Sequence, residues 1–235
     1  MPAPGEVRVW LARLDCPAPV LAALDRRLST EERTRAAAFR FARDRRRFVA
    51  ARGFLRGVLG RCLEVHPQEV KFAYGSHGKP RLAEEGSGLR FNLSHSGERA
   101  ACALCLGSEI GVDVEAVRDL GDADDIAARF FSAAEGAALR RLPANERLEA
   151  FFHCWTRKEA YLKALGDGLA RPLDGFDVTL LPAEPARLAR VAGDEAEAAR
   201  WSLEQLDPGP GYVGAVAVQG RGWCLTSGWW VEESP

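Results

Sequence analysis

Ile110-Gly111-Val112-Asp113-Val114-Glu115 is the stretch from which the rest of the chain is read. In a strand, successive side chains face opposite sides. Ile110, Val112 and Val114 then share a core face. Asp113 and Glu115 share the other, with Cα atoms about 6.5 Å apart. Two carboxylates on one face repel unless a cation lies between them. The pair is either an exposed strand face or part of a site for a hard divalent cation such as magnesium. That ion takes few carboxylates and completes its shell with water and substrate phosphate.

Downstream, residues 146–165 predict a long helix ending near Gly166 and Gly168. At ~100° per residue, Leu148, Phe151, Phe152, Trp155 and Leu162 form one apolar stripe. Glu159 falls inside it, where a carboxylate needs a partner or a raised pKa. Two readings stand. Glu159 pairs with Lys163 one turn on as an ordinary helical ion pair. Alternatively it joins Asp113 and Glu115 around a metal, leaving Lys163 for an anionic ligand.

Outward from these two segments, the chain alternates blocks of strand and helix. Residues 7–14 predict a strand. Ser29-Thr30-Glu31-Glu32 reads as a capping box opening a helix. Residues 44–62 predict a helix with the stripe Phe48, Ala51, Phe54, Leu55, Val58 and Cys62. Residues 70–74 predict a strand before the turn-rich loop Gly75-Ser76-His77-Gly78-Lys79-Pro80. Residues 89–93 and 100–106 predict a hairpin with Ser94-His95-Ser96-Gly97-Glu98 at its tip. After the 110–117 strand, helices follow at 124–129 and 133–142, then the long helix. The tail predicts strands at 176–181, 201–205, 212–218 and 223–227. The expected fold is α+β with two similar subdomains, 1–107 and 108–235, and a ligand site in the cleft between them.

The chain has 235 residues and a formal net charge of −1. That balance gives no reason to expect a nucleic-acid or membrane partner. Residues 1–10 contain no targeting pattern, and no run of ~18 apolar residues occurs. Cys102 and Cys105 lie on an alternating, strand-like segment without a second ligand pair. They read as buried thiols of a reducing, cytoplasmic protein. Arg45, Arg46, Arg47, Arg52 and Arg56 crowd one helix. Most suit a solvated face. Arg47 and Arg52 flank the apolar stripe and could turn toward a cleft. Lys79 sits on a constrained turn, and Ser94-His95 offers a hydroxyl and an imidazole to a phosphate.

Taken in order, Gly78-Lys79-Pro80, Phe91-Asn92-Leu93-Ser94-His95-Ser96, Gly111-Val112-Asp113-Val114-Glu115 and the segment Trp155-Thr156-Arg157-Lys158-Glu159-Ala160-Tyr161-Leu162-Lys163-Ala164 resemble the Sfp-type 4'-phosphopantetheinyl transferases. Phe130-Phe131-Ser132-Ala133-Ala134-Glu135 and Gly166-Asp167-Gly168-Leu169 fit as well. The resemblance implies a monomer that transfers the phosphopantetheine arm of coenzyme A to a serine of an apo acyl or peptidyl carrier protein. It implies magnesium on Asp113, Glu115 and Glu159, with Glu159 and Lys163 catalytic. It implies coenzyme A contacts from Arg47, Lys79, Pro80, Ser94, His95, Asp113 and Lys163, to which the helix pattern adds Arg52. One departure stands out. Where some members carry lysines near the 3'-phosphate, this chain has Glu31-Glu32-Arg33-Thr34-Arg35. Phe130, Phe131 and Arg129 are a candidate patch for docking the carrier; core packing is the competing reading of the two rings. Two other functions compete: a magnesium-dependent phosphotransferase or hydrolase acting on coenzyme A, and a non-catalytic module that binds carrier proteins.

Overall fold

The computed structural model describes residues 1–75, 78–166, 171–181 and 184–232. The expected turn at Ser76-His77 and the motif residues Asp167, Gly168 and Leu169 lie outside them. In chain order the elements are β1 (Glu6–Arg13), α1 (Ala18–Arg26), α2 (Thr30–Ala37), α3 (Ala42–Leu63), β2 (Phe72–Tyr74), β3 (Pro80–Leu82), β4 (Leu89–Ser96) and β5 (Arg99–Leu106). Then come β6 (Ile110–Ala116), α4 (Ala123–Phe130), α5 (Ala133–Arg141), α6 (Ala144–Leu165), β7 (Phe176–Val178), β8 (Leu188–Val191), β9 (Trp201–Leu206), β10 (Tyr212–Gln219) and β11 (Cys224–Trp229).

Two similar halves result. The first sheet contains the order β1-β5-β4 and the second β6-β10-β9, each antiparallel with the last-formed strand in the middle. Each half carries a 22-residue helix, α3 or α6, and a small hairpin, β2-β3 or β7-β8, before its second long strand. The expected boundary at Gly107 falls between the two sheets. The final strand departs from that division. β11 pairs in parallel with β1 and so completes the first sheet rather than the second.

Side-chain alternation builds four layers. On β5, Ala100, Cys102 and Leu104 face α3, where Phe54, Leu55, Val58 and Leu59 cover them. The alternate residues Ala101, Ala103 and Cys105 face the other sheet, against Ile110, Val112 and Val114 of β6 and Val216 and Val218 of β10. The outer face of the second sheet, with Ala215 and Ala217, is covered by α6. Cys102 and Cys105 thus point into two different cores and are free, buried thiols. Each fully buried Leu, Val or Phe contributes roughly 1.5–3 kcal/mol against exposure, so these layers supply the main cohesion.

Two details of the elements follow directly from sequence. Ser29 and Glu32 form the capping box of α2 as expected. Ser94 and His95, however, are not at a hairpin tip. β4 continues through Ser96, and Ser94 and His95 pair with Ala101 and Ala100; only Gly97 and Glu98 make the turn. Gly97, with φ of 55°, supplies the left-handed conformation that lets so short a loop close. The polar alternation Asn92, Ser94, Ser96 therefore lies on a strand face, and that face meets β6.

Candidate active site

The two sheets meet along β4 and β6, and the seam is bridged by side chains. The N–H groups of Val112, Val114 and Ala116 donate to Asn92 Oδ1 (3.0 Å), Ser94 Oγ (3.4 Å) and Ser96 Oγ (3.2 Å). Every second residue of β4 satisfies every second N–H of β6. The spacing in Asn92-Leu93-Ser94-His95-Ser96 is thus the device that joins the halves. An edge strand left otherwise would expose unpaired donors.

The same hydroxyls hold the acids. Ser94 donates to Asp113 Oδ1 at 2.8 Å and Ser96 to Glu115 Oε2 at 2.6 Å. Lys163 reaches over from α6 and donates to Asp113 Oδ1 at 2.5 Å and to Ser94 Oγ at 3.0 Å. Ser94 is thereby saturated: its one proton is given and both lone pairs are used. It is buried, with 5% exposure. Expected to meet coenzyme A, Ser94 here orients Asp113 and Lys163.

Gly111 explains how a helix comes this close. It shares the α6-facing side of β6 with Asp113 and Glu115, and a Cβ there would lie 2.1 Å from the Ala160 carbonyl oxygen and 2.3 Å from the Ala164 nitrogen. Only glycine lets the α6 backbone lie on the strand. Lys163 beside Gly111 and Asp113, and Glu159 a turn earlier, set the direction. α6 runs antiparallel to β6, so Trp155 lies toward the Glu115 end of the seam and Gly166 toward the Glu109 end.

Glu159 is half-buried, on a line with Trp155 and Lys163, while nearly all other residues from Ala150 to Ala164 are buried. The apolar stripe read from the sequence is therefore not the single inward face. α6 is packed almost all round, as a core helix is, and the Trp155-Glu159-Lys163 line is the one that opens. Burial first, then the negative charge of Asp113, pushes the Glu159 carboxyl above the usual carboxylate range. Burial, then Asp113, likewise raises Glu115 against the opposing bond from Ser96. Lys163 is occupied by Asp113 and Ser94 rather than serving as a simple helical partner for Glu159.

His95, adjacent on β4, is exposed by surface area. Surrounding protein and, second, the Lys163 charge hold its imidazole below the usual value. Asp113 Oδ2 is buried with no hydrogen-bond partner among the described residues. A bare carboxylate oxygen beside two other acids is costly, and it is the kind of vacancy a hard cation relieves. The donor set, all carboxylate oxygen, suits such an ion. Among the described residues, though, no three of His, Cys, Asp and Glu are gathered at ligand spacing. The expected three-acid cluster is therefore not preformed.

The other expected contacts are spread along the walls. Lys79 donates to the Ala164 carbonyl at 2.8 Å and to Glu109 at 3.1 Å, tying its loop to the end of α6. Lys79, Pro80, Phe91, Glu109 and Gly166 line a cavity of about 210 Å³ that draws on both halves. Arg47 is paired with Asp15 at 2.5 Å. Arg52 is spent on Glu32 at 2.5 Å and lies over Phe72. Arg56 takes the other Glu32 oxygen, also at 2.5 Å. Glu32, which departs from the family pattern, is thus the buried acceptor of two arginines and of the Ser29 N–H in the α2 capping box. Of the docking patch, Phe131 is core, its ring centroid 5.2 Å from that of Phe151. Phe130 is half-buried against Trp155, and exposed Arg129 lies over its ring.

Two features escaped the sequence reading. Ser96 as the anchor of Glu115 was legible only through the alternation on β4. Lys158, one residue before Glu159, is wholly buried. It bonds Glu135 (2.8 Å), the Leu173 carbonyl (2.7 Å) and the Phe176 carbonyl (2.5 Å). Nothing in its neighbours' identities signals that role.

The family model described as "4'-phosphopantetheinyl transferase superfamily" matches residues 109–217, and "4'-phosphopantetheinyl transferase, N-terminal" matches residues 18–106. The 4'-phosphopantetheinyl transferase HetI of Nostoc sp. is 46% identical over 220 residues, 93% of this chain and 90% of that protein. The chain belongs to the 4'-phosphopantetheinyl transferase family. Sfp of Bacillus subtilis is 32% identical over 153 residues, covering 65% of the transferase described here and 66% of Sfp. AcpT of Salmonella typhimurium is 38% identical over 125 residues, 53% and 62% of the two chains. The family expected from the motifs is the family found.

Proposed function

We propose that this transferase moves the 4'-phosphopantetheine arm of coenzyme A onto a serine hydroxyl of an apo acyl or peptidyl carrier protein, with 3',5'-ADP leaving, at the β4–β6 seam. The observation that carries the reading is the buried, unpartnered Asp113 Oδ2 beside Lys163 and two acids with raised pKa values. Magnesium on Asp113, with Glu115 and Glu159 turned to it or reached through water, would neutralise charge on the pyrophosphate oxygens. Such an ion is held by few carboxylates and completes its shell with water and substrate phosphate.

The chain's own residues do the rest. A serine hydroxyl is a poor nucleophile while protonated and needs a base in reach. Glu159, half-buried and held above the usual carboxylate range by burial and the Asp113 charge, is suited to accept that proton. The serine oxygen forms a bond to the β-phosphorus as the bond to the 3',5'-ADP oxygen breaks. Lys163, already at the seam, supplies positive charge to the departing phosphate. The cavity around Lys79, Pro80 and Gly166 is the candidate place for the nucleotide, with His95 and Arg47 able to meet its phosphates. Arg52 is left to Glu32. Phe130 and Arg129, beside Trp155, favour entry of the carrier at the Glu115 end. Both walls of the seam come from one chain, which supports a monomer. Among the described residues no helix is long and apolar enough to cross a membrane.

The test is incubation with coenzyme A, magnesium and a panel of apo-carrier proteins, followed by intact mass measurement. A carrier gaining one phosphopantetheine mass on its serine is the expected result. Free phosphopantetheine with unmodified carriers would make the protein a hydrolase of coenzyme A. Carrier binding without any turnover would make it a binding module.

A further inference from the structure

Ser96-Gly97-Glu98-Arg99 in the first half and Gly209-Pro210-Gly211-Tyr212 in the second are distant in the chain and meet at the Glu115 end of the seam. β4 and β6 belong to different sheets, and the rungs between them are side chains, at Asn92, Ser94 and Ser96. Such a row frays from its ends, and a single rung is worth only about 1 kcal/mol net. Ser96 is the terminal rung, and it is the one that holds Glu115 Oε2 at 2.6 Å.

Two side chains clasp that end from opposite directions. Tyr212 comes from β10, where it pairs with Ala116, the residue after Glu115. Its hydroxyl accepts the Glu98 N–H at 3.1 Å. The fit is close: a Cβ on Gly97 would lie 2.6 Å from that hydroxyl oxygen. Arg99 comes from β5, is buried, and donates to the Pro208 carbonyl at 3.2 Å in the β9–β10 connection. Its guanidinium lies 4.9 Å from the centroid of the Tyr212 ring and steadies the ring that holds the turn. On the other side, the Leu14 N–H donates to the Glu98 carbonyl at 2.9 Å and ties the turn to the end of β1. The Gly97–Glu98 turn is thus fixed from both halves, and Ser96, just before it, has little freedom to swing away from β6. A tyrosine that only sealed the layer between the sheets would need its ring but not its hydroxyl. Here the hydroxyl is spent on the turn beside Ser96.

We propose that Tyr212 is a positioning residue of the cation site: its hydroxyl, through the Gly97–Glu98 turn, keeps Ser96 on Glu115 and so presents Glu115 to the divalent cation. This rests on the transferase reading above and adds a residue that acts on the ion without touching it.

The test is a double-mutant cycle of Tyr212→Phe and Ser96→Ala, read by manganese binding through water-proton relaxation. Tyr212→Phe keeps the ring under Arg99 and removes only the hydroxyl; the melting temperature of each variant checks that the fold is kept. Ser96→Ala weakens manganese binding about tenfold, and Tyr212→Phe, one step further from the ion, about fivefold. With Ser96 already replaced, Tyr212→Phe changes manganese affinity by less than about twofold. In the carrier assay Tyr212→Phe raises the apparent KM for magnesium, while kcat at saturating magnesium and metal-free coenzyme A binding stay within about twofold of wild type. Manganese bound as tightly by Tyr212→Phe as by wild type would overturn the inference. So would equal losses with and without Ser96, which would reduce the hydroxyl to general cohesion between the halves. A wild-type chain that binds no manganese would remove the cation reading itself, and this inference with it.

Discussion

A glutamate one turn from a lysine ordinarily pairs with it. Lys163 instead crosses to Asp113 and Ser94, and Glu159 is left half-buried near two other acids. Its charged form is then a cost to the folded protein, set aside for function. The sign of the pH dependence follows. The folded pKa of Glu159 is raised above 4.5, so the cost is full above the raised value and absent below the unfolded one. Glu159→Gln is predicted to raise the melting temperature at pH 8, by about 2–4 °C for each kcal/mol of relief. That advantage over wild type shrinks toward zero as the pH falls through the window to 4.5. The same variant loses nearly all transfer. A melting temperature below wild type at pH 8 would contradict the cost, and retained transfer would contradict the role. The sequence led to this residue for a partly mistaken reason. Glu159 interrupts an apolar pattern, but α6 is buried nearly all round, and Glu159 marks its open line rather than its inward face.

At the scale of elements, the site exists because α6 lies directly on β6. Gly111 is the contact point, and a Cβ at 2.1 Å from a helix carbonyl oxygen has no room. Gly111→Ala is expected to lift the helix from the strand, costing about 3 kcal/mol or more and lowering the melting temperature by roughly 6–12 °C. Transfer should fall with it, since Glu159 and Lys163 move away from Asp113. Calorimetry together with the carrier assay checks both; a Gly111→Ala protein as stable and active as wild type would show the approach to be incidental. Local pattern carried the long elements well. The α2 capping box and the β6 alternation were read correctly from the chain. The hairpin tip was not, because polar residues near a Gly resemble turn residues whether they end a strand or bridge to another one. Ser94 and Ser96 are polar because their partners are the N–H groups and acids of a strand distant in sequence, and local sequence holds no record of that pairing. The same applies to Lys158, whose Glu135 and carbonyl partners come from two other segments, α5 and the stretch from Leu173 to Phe176.

For the whole molecule, two halves of the same topology stack sheet on sheet, and their seam becomes the cleft. The order of elements read from the sequence carried the alternation of strand and helix blocks, but not α1, β3 or β8, nor the pairing of β11 with β1. A final strand reads the same wherever it pairs, and its return to β1 is decided by tertiary packing. Trp230 just beyond it packs on Trp10 (5.7 Å between ring centroids) and Phe54 (6.0 Å), with Arg61 over its ring. A chain ended at Gly222 would lose this cover and leave β1 as an open edge. It is predicted to melt more than ~10 °C below the full chain and to aggregate on warming. Light scattering during a thermal scan reads both, and an unchanged transition would mean that β11 is dispensable.

The account stands on the carboxylates of the seam holding a divalent cation together with coenzyme A. Manganese binding, followed by water-proton relaxation with and without coenzyme A, measures this directly on wild type, Asp113→Asn and Glu159→Gln. The predicted result is one manganese per wild-type chain, tightened by coenzyme A and weakened at least about tenfold in each variant, while metal-free coenzyme A binding persists in Glu159→Gln. Manganese bound equally well by all three proteins would contradict the account.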